Sequence, residues 1–544
     1  MKRSGAEILV EVLLEEGVDT VFGYPGNAVL RIYDALYARR DRIRHVLTAH
    51  EQGAAHAADG YARSTGRTGV VLATSGPGAT NLVTGIAAAA MDSVPLVAIT
   101  GNVSLDLIGR DSFQEIDITG ITIPVTKHNL IVKDVRELAA LTREAFLIAR
   151  SGRPGPVLID IPQNVAWDEC DYTPASAPPA LPARLAPPVS SDAALRWAAS
   201  MLRRSRRPLI LAGGGVGISG AETALAALAT RLQAPVCTTL PGITSVPRDF
   251  PLRLGMVGMY GSEAAHAALE QCDLLLAVGT RFSDRVARSR AHFAPQAKLL
   301  HLDIDPSELN KNLPADLTLP GDAAVTLRAL EARLSSLSQP SACWAQALLP
   351  PYAAAPRVPA ACRTSALLAS LAPLLGEDAI LVTDVGQHQM LAAQLYPFSR
   401  PRSFLSSCGL GAMGYGMGAA VGAAVANPGR RVALVTGDGS FHMNLAELAT
   451  AVSNRLPILV LVMNNRMLGM VHQLQHKLFD GRYACTEPGW ATDFAAVARA
   501  MGAVGLRVTE AAQFAPAVEE ALRSGRPAVL DCLVEPETLP TFPV

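Results

Sequence analysis

No long basic run occurs in this 544-residue chain, and its formal net charge is −1. Without concentrated positive charge there is nothing to grip a phosphate backbone or an anionic lipid surface, so neither nucleic acid nor membrane is an expected partner. No apolar stretch reaches ~18 residues without a Gly, Pro or charged interruption, which excludes an ordinary membrane-spanning helix. Cys-x-x-Cys is missing too: the eight cysteines (170, 237, 272, 343, 362, 408, 485 and 532) are scattered singly. Scattered thiols suit a reducing cytoplasm better than a disulfide frame or a zinc site. The N-terminal MKRSGAEILVEVLLEEGV has two basic residues, but glutamates interrupt its apolar stretch at helical spacing. It predicts an amphipathic helix in place of a signal peptide.

What the chain has is aliphatic residue in short runs: 49% of it is hydrophobic and 17% charged. At ~150 residues per domain its length predicts three or four domains. Two stretches dense in Pro, Ala and Ser, 171–190 and 335–360, read as linkers and leave blocks 1–168, 191–334 and 361–544. Each block alternates aliphatic runs with longer helical patterns. TGVVLATS, VPLVAITG and GPVLIDIP belong to the first, RPLILAGGG, CDLLLAVGT and AKLLHLDID to the second, AILVTDVG, RRVALVTGDG and LPILVLVMNN to the third. Continuous aliphatic strands separated by helices predict parallel sheets covered on both faces, hence an α/β protein of three doubly wound domains. In such sheets ligands sit beyond the carboxyl ends of the strands, so the loops after the aliphatic runs are the places to search.

Two of those loops belong together. VALVTGDGS puts Gly437, Asp438 and Gly439 at one strand end, and VLVMNN puts Asn465 at another, 27 positions later. That interval suits a strand–helix–strand crossover, which brings Asp438 and Asn465 side by side. A carboxylate, an amide oxygen and backbone carbonyls form a hard oxygen site for Mg²⁺, which commonly takes phosphate oxygens as well. The glycines let backbone N–H groups approach a diphosphate. GDG alone fits an ordinary turn equally well; GDG with NN 24 residues further on, both at strand ends, is far more specific.

GDG-x24-NN resembles the diphosphate–Mg²⁺ motif of thiamin-diphosphate-dependent enzymes, and HEQGAAHAADGYAR (50–63) is similar to the segment that carries their cofactor-activating glutamate. The likeness implies that Glu51 hydrogen-bonds the cofactor's aminopyrimidine and favours the tautomer that takes the weakly acidic thiazolium proton. It extends over nearly the whole chain and narrows to the acetohydroxyacid (acetolactate) synthase catalytic subunits. VFGYPGNAVLRIYDAL, TSGPGATNLVTGIAAAAMDSVPLVAITG and GRDSFQEIDITGITIPVTKHN resemble that family's first domain, VTDVGQHQM, CGLGAMGYGMGAA and GDGSFHMNLAELATA its third. By this resemblance Tyr24, Pro25 and Gly26 join Glu51 on the pyrimidine side. Val385, Gly386, Gln387, His388, Ser440, Gly469 and Met470 would lie along the diphosphate. Gly411 and Met413 would border the thiazolium, Met413 as the wedge that keeps the cofactor bent, and Met467 would offer a carbonyl to the metal. Gln114 and Phe113 would face the reaction. The family assembles each site from two subunits, so a homodimer or tetramer is implied, with a small regulatory subunit as a possible addition.

The middle block resembles the family's FAD-binding domain. Gly213, Gly214 and Gly215 follow a strand but fit a plain tight turn as well; their neighbours strengthen the likeness. Thr239, Leu240, the GMYG of Gly258, Met259, Tyr260 and Gly261, then Gly279, Arg281, Asp303, Ile304 and Asp322 match the family's nucleotide contacts, with Arg153 added from the first block. The flavin so implied has no redox role. Tyr260 and Ser283 depart from the usual GMHG and RFDDRV, whereas Arg285 is kept, a guanidinium fork suited to the carboxylate of the second 2-oxoacid.

The implied reaction decarboxylates pyruvate on the cofactor and joins the two-carbon unit to a second 2-oxoacid, giving 2-acetolactate or 2-aceto-2-hydroxybutyrate for branched-chain amino acids. Asn27, Ser104, Gln163 and Leu474 replace the glycine, proline, lysine and tryptophan usual in the substrate channel. They predict a weaker preference for 2-oxobutyrate and tolerance of inhibitors that bind there. The chain also ends sooner than is usual in the family, which implies a different closure. The competing readings are a related carboligase or decarboxylase with another acceptor, a pyruvate oxidase that uses its flavin for electrons, and a non-catalytic cofactor-binding chain. Glu51, Asp438 and Asn465 argue against the last.

Overall fold

The aliphatic runs become the middle strands of three separate sheets. The computed structural model of the chain describes residues 2–175, 182, 185–287, 291–337, 343–349 and 361–542. Residues 176–181, 183–184, 338–342 and 350–360, the greater part of the two Pro- and Ala-rich stretches, lie outside the described residues. Each sheet has six strands, all parallel. Strands such as Leu96–Asn102, Pro156–Pro162 and Ile458–Asn464 are buried at every position, as strands covered by helices on both faces must be.

Numbered within each sheet in chain order, the strands of the first and third sheets run 2-1-3-4-6-5 and those of the second 3-2-1-4-5-6. The first and third domains therefore share one topology, and the second has the strand order of dinucleotide-binding folds. The order reverses beside Thr20–Tyr24 in the first sheet, beside Pro208–Ala212 in the second and beside Ile380–Thr383 in the third. Such switch points are where parallel sheets of this kind commonly bind ligands, beyond the carboxyl ends of the strands.

The first and third domains meet through two helices, Glu51–Thr65 and Tyr415–Ala426. Small residues allow the approach. A Cβ on Gly422 would lie 1.8 Å from the Ala57 carbonyl oxygen, and one on Gly60 2.2 Å from that of Ala419. The expected N-terminal helix is Gly5–Glu15, started by a capping box between Ser4 and Glu7. Ahead of it, Lys2–Ser4 pairs antiparallel with Glu169–Asp171, a contact that no run of aliphatic residues announces. Among the described residues no helix is long and apolar enough to cross a membrane.

Candidate active site

Three neighbouring strands of the third sheet end at one crevice. Ile380–Thr383 runs into Asp384, Val385 and Gly386, and Val432–Gly437 into Asp438 and Gly439. Ile458–Asn464 pairs with the latter in parallel, Gly437 opposite Met463, so Asp438 and Asn465 emerge at the same edge. A small cavity of about 70 Å³ lies there, lined by Val385, Gly386, Gln387, His388, Met413, Gly437, Asp438, Gly439, Ser440, Asn465, Met467, Gly469 and Met470. Gly411 is outside this lining; with φ +71° it forms the turn that passes Val385.

The two adjacent asparagines have different partners. Asn464 is buried and donates from Nδ2 to Asp531 Oδ1 at 2.8 Å, across to the next strand. Asn465 lines the cavity, and among the described residues its Oδ1 accepts only the Met467 N–H, at 3.1 Å. Asp438 opens the helix Asp438–Asn444, and burial pushes its carboxyl up to about 6. The Asp438 and Gly439 N–H groups act against that shift, and no ion pair to Asp438 is formed among the described residues. His388 also lines the cavity; burial lowers its imidazole to about 4, and its buried Nε2 has no hydrogen-bond partner. A divalent cation beside Asp438 and Asn465 and an anion accepting from His388 Nε2 fit these needs, and Met467 adds a backbone carbonyl.

Neighbouring polar groups fix the loops. The buried carboxylate of Asp384 accepts from Gly416 N at 2.9 Å and Thr436 Oγ1 at 2.7 Å, and Asn444 Nδ2 donates to the Gly414 carbonyl at 2.7 Å. Together they hold the turn that presents Met413. Gln387 lines the cavity, but its side-chain amide donates to Gln473 Oε1 and to the Glu537 carbonyl, both at 2.8 Å. The amide is thus engaged with the chain itself, and the backbone at the start of helix Gln387–Leu395 is what remains for an anion.

Glu51 is the first residue of helix Glu51–Thr65, and its Oε2 accepts from Asn81 Nδ2 at 3.0 Å. Tyr24 ends strand Thr20–Tyr24 and Pro25 and Gly26 follow it, with Gly26 closed on Thr74: a Cβ there would meet the Thr74 side chain at 2.5 Å. Gln114 has φ +59° and sits over Gly76, whose own φ is +60°. A Cβ on Gly76 would lie 2.9 Å from Gln114 Cβ. Strained backbone of this kind is a mark of functional loops. Phe113 beside it is 84% exposed. Asn27, Ser104 and Gln163 follow three strands of the first sheet, whereas Leu474 lies on helix Gly469–Leu478 of the third domain. None of the first-domain residues lines the 70 Å³ cavity of the same chain. A single chain keeps the two halves apart.

A cavity of about 670 Å³ opens where the second sheet reverses its order. Gly214, Gly215, Thr239, Gly279, Arg281, Asp303, Ile304 and Asp322 line it, with Arg153 from the first domain. Gly213 lies behind them, its Cβ position 2.1 Å from the Gly279 carbonyl oxygen, so the two glycine loops stand back to back. Burial pushes Asp303 up to about 6. Asp322 caps helix Ala323–Arg333 and accepts from Ser219 Oγ at 2.7 Å. Arg153 donates to Glu308 Oε1 at 2.7 Å and Ser93 Oγ at 2.8 Å, tying first domain to second. Leu240, Gly258, Met259, Tyr260 and Gly261 are outside the lining. The GMYG turn lies instead on the backbone of Arg285, with Met259 N donating to its carbonyl at 3.0 Å, and the Arg285 side chain is exposed. The cavity's size and glycine cradle fit an extended dinucleotide.

Comparison with known proteins agrees block by block. Family models described as the N-terminal TPP binding, central and C-terminal TPP binding domains of thiamine pyrophosphate enzymes match residues 3–121, 195–330 and 384–532. A probable acetolactate synthase large subunit of Methanocaldococcus jannaschii is 44% identical over 99% of this chain and 93% of its own length. The acetolactate synthase large subunit of Parasynechococcus marenigrum is 45% identical, with 97% and 87% covered. For the isozyme 2 large subunit of Escherichia coli (strain K12) the figures are 43%, 98% and 96%. The chain belongs to the acetolactate synthase large-subunit family.

In this family member the cavity has walls that motif reading did not supply. Glu535 and Glu537, beyond the last strand Ala528–Leu533, line it. Glu537 accepts from Ser365 N at 3.0 Å, and Gln473 bonds both the N–H and the carbonyl of Leu539, at 3.0 and 2.8 Å. The only sequence signal is two glutamates just after an aliphatic run, which is too common to single out.

Proposed function

We propose that the chain is the catalytic subunit of an acetolactate synthase, acting in the cytoplasm on 2-oxoacids. The observation that supports it best is the crevice lined together by a buried carboxylate, Asp438, an amide, Asn465, and an imidazole whose Nε2 has no partner among the described residues, His388. Asp438, Asn465 and the Met467 carbonyl would hold Mg²⁺, and His388 and the Gly386–His388 backbone the diphosphate. Bound thiamin diphosphate supplies the carbanion nucleophile and the electron sink for decarboxylation. Met413 would press on its central bend. Glu51 would hold the proton at the aminopyrimidine ring nitrogen. Arg285 would take the carboxylate of the second 2-oxoacid in a bidentate pair, and Gln114 would orient the reacting carbonyl.

Because neither Glu51 nor Gln114 lines the cavity of its own chain, a second copy would complete each site, in a homodimer or a tetramer. The name "large subunit" borne by the relatives supports a small-subunit partner as well. FAD would fill the 670 Å³ cavity in a structural, non-redox role. Incubation with pyruvate, Mg²⁺ and thiamin diphosphate, with and without FAD, should give CO₂ and 2-acetolactate. Acetyl phosphate or peroxide as the product would overturn the proposal in favour of an oxidase, and an aldehyde product would overturn it in favour of a decarboxylase.

A further inference from the structure

Glu447 is a completely buried carboxylate at the junction of the first and third domains. Full burial of a glutamate is rare unless its charge is met by partners. Here Oε1 accepts the His50 N–H at 2.9 Å, and Oε2 accepts the Ala49 N–H at 3.2 Å and Thr450 Oγ1 at 2.6 Å. Burial pushes the Glu447 carboxyl up, and these three donors act against that shift by favouring the charged form. The opposing helix leaves space for it, since a Cβ on Gly53 would lie 2.0 Å from Glu447 Oε1.

The two N–H groups belong to the residues directly before Glu51. The turn they form has local supports as well: the His50 ring accepts from Gln52 N at 3.1 Å, and Thr48 Oγ1 donates to the His50 carbonyl at 3.2 Å. Those contacts shape the turn, whereas Glu447 fixes it against another domain. Glu447 opens helix Glu447–Ser453, shortly after the helix that begins with Asp438. A tether needed only for packing could be apolar; a desolvated carboxylate bonded to two successive N–H groups instead fixes backbone direction, which is what a reacting side chain on the next residue requires.

We propose that Glu447 is a positioning residue for Glu51, holding the backbone from which Glu51 reaches the cofactor and anchoring it to the third domain of the same chain. The inference rests on the role given to Glu51 above. Glu447→Gln places an NH₂ group against a backbone donor, and Thr450→Val removes one donor while leaving the carboxylate in place. Both are compared with Glu51→Gln in the full-length protein. The first readout, on cofactor-free protein, is amide hydrogen exchange at Ala49 and His50. The second is exchange of the thiazolium C2 proton of enzyme-bound thiamin diphosphate for deuterium, followed by NMR.

Glu447→Gln should raise amide exchange at the two positions and slow C2 exchange by about 100-fold, near the lower bound for a general acid–base contribution. Thr450→Val should move both in the same direction by a smaller factor, and this keeps the test open if Glu447→Gln does not fold. Thiamin diphosphate affinity should stay within about threefold, as for an interaction that does not touch the ground-state diphosphate. Unchanged C2 exchange in both Glu447→Gln and Thr450→Val, with Glu51→Gln slowed, overturns this inference alone. Unchanged exchange in Glu51→Gln removes the role of Glu51 and this inference with it.

Discussion

Asn464→Ala and Asn465→Ala, neighbours in sequence, should fail in opposite ways. Asn464 is 5% exposed and Asp531 0%, and their bond at 2.8 Å is the hydrogen bond of that carboxylate; its Oδ2 has no hydrogen-bond partner and lies 3.9 Å from Arg507 Nε. Removing the amide takes away the hydrogen bond to Oδ1 and leaves the buried carboxylate with the longer Arg507 contact. A hydrogen bond to a charged group is worth about 1.5–3 kcal/mol, so the folded state should lose roughly that much. Asn465 gives up only one acceptor for the Met467 N–H at 3.1 Å, in a half-buried place, and its loss should cost about 0.5–1 kcal/mol. In the proposed site the same amide oxygen would be one of two side-chain oxygens offered to Mg²⁺. Its removal should weaken Mg²⁺-dependent thiamin diphosphate binding by at least about tenfold, while Asn464→Ala leaves that binding within about threefold. Guanidinium unfolding of metal-free protein gives the first quantity, and fluorescence titration with thiamin diphosphate at fixed Mg²⁺ the second. If Asn464→Ala weakens binding without destabilising the fold, or Asn465→Ala destabilises it without weakening binding, the assignment of the two amides is wrong.

Three further outcomes are expected. Burial pushes the Asp384 carboxyl up from the ordinary carboxylate range to about 6, so the folded chain keeps this proton where the unfolded chain has released it. Stability is therefore lost as pH rises from about 4 to 6, by roughly 3 kcal/mol, and Asp384→Asn should remove this part of the slope in urea unfolding measured across that range. Leu474→Trp should raise incorporation of 2-oxobutyrate over pyruvate by about tenfold in competition, the scale on which an apolar wall senses one methylene; an unchanged product ratio would show that the position does not touch the acceptor. Gly215→Val puts a Cβ 2.7 Å from Gly279 Cα, inside the glycine cradle, and should cut bound flavin absorbance after reconstitution while thiamin diphosphate affinity is unchanged.

The sequence was most legible where one residue type has one structural meaning. Aliphatic runs such as LPILVLVMNN are strands of parallel sheets because burial on both faces removes any alternation that a helix could mimic. Asp438 and Asn465 were legible because both stand at strand ends, with glycines beside Asp438, 27 positions apart. Strands of three residues, Val236–Thr238 and Phe404–Ser406, carry too little pattern to be read. The GMYG turn shows another limit: likeness assigned it to a nucleotide, but only geometry reveals its backbone bond to Arg285. Glu447 shows the deepest one. As a first-turn glutamate in LAELAT it is indistinguishable from any solvated helix start, and its partner N–H groups lie 397 and 398 positions away. Groups that meet a cofactor leave a local mark, because the chain must open around a ligand at that point. Groups that hold those residues in place answer to distant backbone, and nothing in their own neighbourhood has to change to accommodate them. The contacts that hold the turn before Glu51 therefore had to be found in the fold, whereas the places of Asp438 and Asn465 at neighbouring strand ends could be read in the chain.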